Sequence, residues 1–189
     1  MNKLTAFLLA PLLAGCLTSN QPEIVRWGIE FKPPETVDSA AVPSGNARLS
    51  LVTVRAPYHV DSITVLRADG TVAFDPYNEY ATSPSILARG LVFDALTVSG
   101  IFAGVVNAGS ALRTDRSVEV MVTRWALDCR TPGRRIAVAD VLVRILNDKE
   151  TSFFAATASG RADAADGRYG PALSAALSSA VMSALGKLR

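Results

Sequence analysis

Histidine occurs once, at position 59, and cysteine only twice, at 16 and 129, in a chain of 189 residues. A single imidazole argues against a zinc site, which needs several His, Cys, Asp and Glu side chains to converge. Two cysteines make no disulfide framework, and a chain of this length needs none to hold a core. Charge of one sign is equally scarce. Nineteen Lys and Arg stand against 17 Asp and Glu, a formal net charge of +2, which argues against nucleic acid or an acidic polymer as partner. No apolar run reaches the ~20 residues that span a bilayer. Neither Gly-x-x-x-x-Gly-Lys-Ser/Thr nor Gly-x-Ser-x-Gly occurs, which removes the phosphate-loop and nucleophile-elbow templates.

What is present begins at the N-terminus. Lys3 supplies a positive start, and Leu4 to Leu13 is an apolar stretch interrupted only by Thr5 and Pro11. It has the length of a signal-peptide core and is too short to span. Leu13-Ala14-Gly15-Cys16 follows and resembles the lipobox of bacterial lipoproteins at every position. The resemblance implies that residues 1–15 are removed as a signal peptide. Cys16 then carries diacylglycerol and an N-acyl chain such as palmitate. Several acyl chains, at about 0.8 kcal/mol per buried CH₂, make a permanent anchor. Residues 16–23 form a polar tether, and residues 24–189 are expected to be a single domain. Loss of Lys3 lowers the net charge by one.

The fold class expected is α/β, one mixed sheet with two packed helices in the order β-β-β-β-α-β-β-β-β-α. Residues 24–31 alternate loosely and stop at Pro33-Pro34, an edge-strand pattern. Residues 48–54 form the second strand, closed by Pro57. Residues 62–66 and 71–74 flank Asp69-Gly70, a hairpin turn. Ser83-Pro84 marks a helix start, with Ser83 as N-cap and Pro84 at the first helical position. Ile86, Leu87, Gly90, Leu91, Asp94 and Ala95 recur at helical spacing on its inner face, and Gly100 fits the C-cap. Residues 101–106 read as a short strand, which sets aside Gly100-x-x-x-Gly104 as a membrane dimer motif.

Val118, Val120 and Val122 alternate cleanly, then lose phase at Arg124-Trp125, the mark of a bulge or of an exit from the core. Residues 136–146 are the most apolar strand. Ala137, Ala139, Val141, Val143 and Ile145 line one face, while Asp140 and Arg144 interrupt the other and suit a sheet edge or paired neighbours. Residues 152–158 follow as a strand. Pro171 opens a last helix to Leu188 with the stripe Leu173, Leu177, Ala180, Val181, Ala184, Leu185 and Leu188. Ser174, Ser178, Ser179 and Lys187 make its polar face.

Candidate chemistry is thin. Cys129 ends an apolar run and reads as a packed small hydrophobe. His59 has no evident carboxylate or metal cluster near it in sequence. Asp61, Asp75 and Glu79 are the nearest approach to an acidic cluster and are expected to be solvated loop charges. What stands out is an aromatic, proline-marked stretch in which Tyr58, Tyr77 and Tyr80 are three of the four tyrosines. Tyrosines on loops offer apolar area with a polar tip. Pro57, Tyr58, Asp61, Tyr77 and Tyr80 are therefore the candidate partner-binding residues. No catalytic residue and no metal ligand is assigned.

This order of features resembles the ABC-type transport auxiliary lipoprotein family, the PqiC-like proteins of MCE systems. After the lipobox, Arg26-Trp27-Gly28-Ile29 stands for the family's first strand. Ala56-Pro57-Tyr58-His59-Val60-Asp61-Ser62 stands for its Pro-Tyr-Leu-Asp-Arg stretch, and Ile63-Thr64-Val65-Leu66-Arg67 for its Ile-Val-x-Arg strand. Phe74-Asp75-Pro76-Tyr77-Asn78-Glu79-Tyr80-Ala81 stands for Phe-x-x-Tyr-x-x-Trp-Ala. His59-Val60 replaces the Leu, Ser62 the Arg and Tyr80 the Trp, so the family's Arg contact does not carry over.

The resemblance implies a non-enzymatic adaptor that needs no cofactor beyond its covalent lipid. Its partners would be an MCE-domain protein with its ABC permease and ATPase, in a system moving lipids between the two membranes. Self-association is left open. Leu17, rather than Asp, follows Cys16, which by the enterobacterial sorting rule implies the outer membrane facing the periplasm, with the inner membrane as the alternative. The competing function is an envelope-assembly or secretion-linked lipoprotein of TolB-like architecture. A periplasmic hydrolase using Asp61, Asp75 or Glu79 is the third class.

Overall fold

The computed structural model describes residues 22–33, 45–147 and 153–188. The lipobox and Cys16 lie outside them. Eight strands and two helices follow the expected order. Strands β1 (Val25–Trp27), β2 (Asn46–Val54), β3 (Ser62–Leu66) and β4 (Val72–Tyr80) precede helix α1 (Pro84–Ser99). Strands β5 (Gly104–Asn107), β6 (Arg116–Asp128), β7 (Ile136–Asn147) and β8 (Phe153–Asp163) precede helix α2 (Tyr169–Gly186). All strands join one mixed sheet, with both helices on the same face.

β6 is the spine. Along one edge it pairs antiparallel with β7 over its whole length, from Arg116↔Asn147 to Asp128↔Ile136, and β8 continues the sheet beyond β7. Its other edge is shared. β2 runs parallel to its first half, from Ala47↔Arg116 to Val54↔Val122. β3 runs parallel to its last residues, Val65↔Leu127 and Leu66↔Asp128. β5 extends the sheet from β2, and β4 then β1 extend it from β3.

The phase loss in β6 is a bulge between Val122 and Arg124, at the level where β2 ends. The extra residue restores inward phase, so Val118, Val120 and Val122 share the helix-covered face with Trp125 and Leu127. The strand does not leave the core there. Trp125 is fully buried, its indole N–H donates to the Leu173 carbonyl at 3.2 Å, and Tyr80 stacks on it at 4.9 Å.

The helix faces differ from the simple periodic reading. α1 buries Ala88, Leu91, Val92, Ala95 and Leu96, while Ile86 is 62% exposed and Gly90 and Asp94 face solvent. Its buried arc is set by two neighbours, β2 and α2, so the small Ala88 and Ala95 turn inward for close approach. Ser83 occupies the N-cap without a side-chain cap; its carbonyl accepts from the Ile86 and Leu87 amides. Gly100 adopts φ 66° at the C-cap, the left-handed conformation glycine takes at no cost.

In α2 the expected stripe is buried from Leu173 to Leu185, with Leu188 half-buried beyond the helix end at Gly186, and Ser174 and Ser178 are buried too. These two serines are not a solvent face. The chain after β1 runs extended along them, with the Glu30 amide donating to Ser174 Oγ at 3.2 Å and the Lys32 amide to Ser178 Oγ at 3.3 Å. Two residues of extended chain and four of helix advance by nearly the same distance, which makes the match repeat. The first strand is correspondingly shorter than expected, because residues 29–32 bond to a helix rather than to a sheet. Other boundaries shift as well. Ile101 and Phe102 are core residues ahead of β5, β8 continues to Asp163, and α2 begins at Tyr169.

Candidate interaction surface

The five candidate residues do not form one patch. Tyr77 and Tyr80 are not on a loop, as the sequence suggested, but on β4. That strand pairs with β3 at Phe74↔Thr64, then at Glu79↔Ser62. Residues 75–78 form a wide bulge between those pairs. Asp75 Oδ1 holds it by accepting the Tyr77 amide at 2.9 Å, which leaves the Tyr77 ring 47% exposed.

Three residues on, Tyr80 has turned fully inward. Its ring lies on Trp125 and its amide donates to the Asp61 carbonyl at 2.7 Å. Burial drives its hydroxyl pKa far up. Tyr80 is therefore a core residue, and its removal from the partner-binding set is a correction. It occupies the place of the Trp in the resembled motif, so that departure alters core packing rather than a contact surface. Pro57 and Tyr58 are half-buried on the loop between β2 and β3, and Asp61 is exposed at its end.

The acidic trio does not converge. Glu79 pairs with Arg26 at 3.6 Å, Asp75 holds its own turn, and Asp61 faces solvent. Among the described residues no group of three or more His, Cys, Asp and Glu could hold a metal ion. Cys129 is half-buried beside the core, and burial pushes its thiol pKa up, away from thiolate reactivity.

The second surface is the sheet face opposite the helices. Leu51, Thr53, Met121 and Leu142 line a shallow groove of about 70 Å³ there, bordered by Glu119 and Arg144, whose charges approach to 4.0 Å. Next to it Arg124 and Asp140 pair at 2.8 Å, with Arg124 Nε and Asp140 Oδ1 buried and without a hydrogen-bond partner among the described residues. The charges at 140 and 144 thus pair with neighbours on β6, one of the two placements the sequence allowed. The alternation in β2, β6 and β7 carried this face as well. It was legible only as the side that was not the core, because no single strand shows that nothing covers it.

What the fold defines is a two-layer α/β domain whose helices shield one face of a mixed sheet and leave the other open. A protein from Xanthomonas campestris, described as belonging to the family DUF330, shares that fold. It has a TM-score of 0.63 and 15% identity, over 86% of this chain and 92% of that one. A second solved structure, described only as an uncharacterized protein, gives 0.65 and 10% identity over 90% and 100% of the two chains. A PelC dodecamer from Paraburkholderia phytofirmans is more distant, at 0.43 and 14% identity over 81% and 91%. No family model matches the sequence, and no curated protein does. At these identities the likeness is one of fold.

Proposed function

We propose that this chain is a lipid-anchored envelope protein that serves as the auxiliary component of an MCE-type ABC transporter. It would tie the periplasmic MCE assembly to a membrane. The observation that carries the reading is the conjunction of a complete lipobox, Leu13-Ala14-Gly15-Cys16, with a domain of the fold seen in a DUF330-family protein. The open sheet face and the exposed Tyr77 supply surface for a protein partner, and the candidate acids are dispersed rather than gathered for catalysis. Among the described residues no helix is long and apolar enough to cross a membrane, so in this reading Cys16 supplies the attachment.

The test is affinity purification of the full chain from detergent-solubilised membranes, with the bound proteins identified. An MCE-domain protein with an ABC permease and ATPase is the expected result. Recovery of secretion or cell-wall assembly components in their place would move the protein to the competing class.

A further inference from the structure

One end of the domain gathers arginine. Val72, Leu66, Asp128, Ile136 and Asp163 lie abreast at the last register row of five strands. The loops at 67–71, 129–135 and 164–168 therefore all leave from the same end. With the final strand residues they carry Arg67, Arg130, Arg134, Arg135, Arg161 and Arg168 against Asp69, Asp128, Asp163 and Asp166.

Two of the four acids are neutralised by neighbouring arginines and the other two keep their charge in local turns, so six arginines against four acids leave this end at +2. Arg130 holds Asp128 at 2.6 Å, drawing its carboxyl pKa down to about 2, and Arg168 holds Asp166 at 2.6 Å. Asp69 Oδ1 accepts from both the amide and the hydroxyl of Thr71, and Asp163 Oδ1 accepts the Ala165 amide. Among the described residues Arg134, Arg135 and Arg161 have no carboxylate within ion-pair distance. Arg134 and Arg135 line a cleft of about 390 Å³ between the loops at 129–135 and 164–168, where the Arg135 guanidinium is steadied on the Tyr169 hydroxyl at 2.7 Å. The loop at 107–115, at the opposite end, carries one charge of each sign, Arg113 and Asp115.

The chain's path adds a second, independent fact. β4 starts at the arginine end and runs away from it, and β1 is parallel to β4. The chain before Val25 therefore points back towards the arginine end. Val25 lies nine positions after Cys16, a reach of at most ~30 Å fully extended. Beside this exit lie exposed apolar side chains. Among the described residues Ile24, Val25, Val72, Phe74 and Tyr77 are five of the ten large exposed hydrophobics, all on β1, β4 or the residue before β1. They lie on or beside two paired strands, β1 and β4, at one edge of the sheet.

We infer that the end formed by the loops at 67–71, 129–135 and 164–168 rests on an anionic phospholipid surface. Its unpaired arginines would sit on headgroup phosphates, and Val72 and Phe74 would sit at the acyl boundary. A guanidinium matches phosphate geometry bidentately, and a basic residue near a charged membrane is worth about fivefold in surface partition. This inference rests on the anchored reading above, because a short tether directed towards this end is what brings it to the bilayer. The open sheet face and the loop at 107–115 then remain clear for the protein partner.

The test is hydrogen exchange of the full lipoprotein reconstituted into phosphatidylcholine vesicles with or without phosphatidylglycerol. Amides at 67–77 and 129–135 should exchange at least fivefold more slowly on the anionic vesicles, with the loop at 107–115 unchanged. The slowing should vanish in the Arg134→Glu/Arg161→Glu variant, both sites being exposed, and in the wild type at high salt. Equal exchange on the two vesicle types, or slowing at 107–115 instead, overturns the inference. The intact mass of the same sample reads the anchor separately. A bare Cys16 defeats the anchored reading, whereas a lipidated Cys16 with no lipid-dependent slowing defeats only this orientation.

Discussion

Tyr80 carries a hydroxyl into the core, where no acceptor among the described residues meets it. Its ring is held between β4 and Trp125, so the side chain contributes packing while its oxygen contributes a desolvation cost. An unsatisfied buried hydroxyl costs about 1–3 kcal/mol. Tyr80→Phe should therefore raise the stability by about 1 kcal/mol, a Tm gain of about 2–4 °C for a domain of this size. Tyr80→Ala should lose about 3–5 kcal/mol by opening a cavity beside Trp125. Chemical denaturation of the three chains measures both, and a Tyr80→Phe variant less stable than wild type would show that the hydroxyl has a partner. In the sequence Tyr77 and Tyr80 were indistinguishable, two tyrosines in one polar stretch. Only the bulge at residues 75–78 separates an exposed ring from a buried one, and its phase shift depends on where β3 and β4 resume pairing. By contrast the bulge in β6 was visible, because valines before it and Trp125-Ala126-Leu127 after it could not share one alternating register.

Element packing rests on small residues. Gly160 of β8 lies directly under α2. A methyl group there would overlap the Ala176 carbonyl oxygen and stand 2.7 Å from the Ala180 amide nitrogen. Both obstacles are backbone, which cannot swing aside as a side-chain end can. Gly160→Ala should cost about 3 kcal/mol, at the upper end of overpacking effects, whereas Ala→Ser at exposed positions of β8 such as Ala155 should be nearly neutral. Thermal unfolding of the two variants checks this; an unperturbed Gly160→Ala would mean that α2 rides higher on the sheet. The apolar stripe of α2 was legible at helical spacing because Leu and Val repeat at three and four. The second buried side was not, since Ser174 and Ser178 look like solvent residues until residues 29–32 supply the amides that satisfy them. An amphipathic pattern identifies the face that meets the sheet and says nothing about a distant segment that bonds to the hydroxyls.

At the scale of the whole molecule the sheet divides into a bonded centre and thin edges. β6 is paired on both sides for most of its length, and its inward residues are almost wholly covered by α2 and α1. β1 and β5 have three and four residues and pair along a single edge each. Opening free energy follows such differences in burial and pairing. Amides of β6 and β7 should therefore exchange by global unfolding, while those of β1 and β5 exchange by local fraying, at least ~100-fold faster, a gap of about 3 kcal/mol. Native-state hydrogen exchange under rising denaturant distinguishes the two regimes, because globally exchanging amides share the denaturant dependence of unfolding and locally exchanging ones do not. If β1 were as protected as β6, the chain entering at Val25 would be continuous with a rigid frame. With a fraying β1, the Trp27 indole on Asn78 at 2.9 Å and the amides of Glu30 and Lys32 on α2 become the contacts that hold residues 25–32 to the body. Ser174→Ala/Ser178→Ala should then speed exchange at residues 25–32 while leaving β6 unchanged.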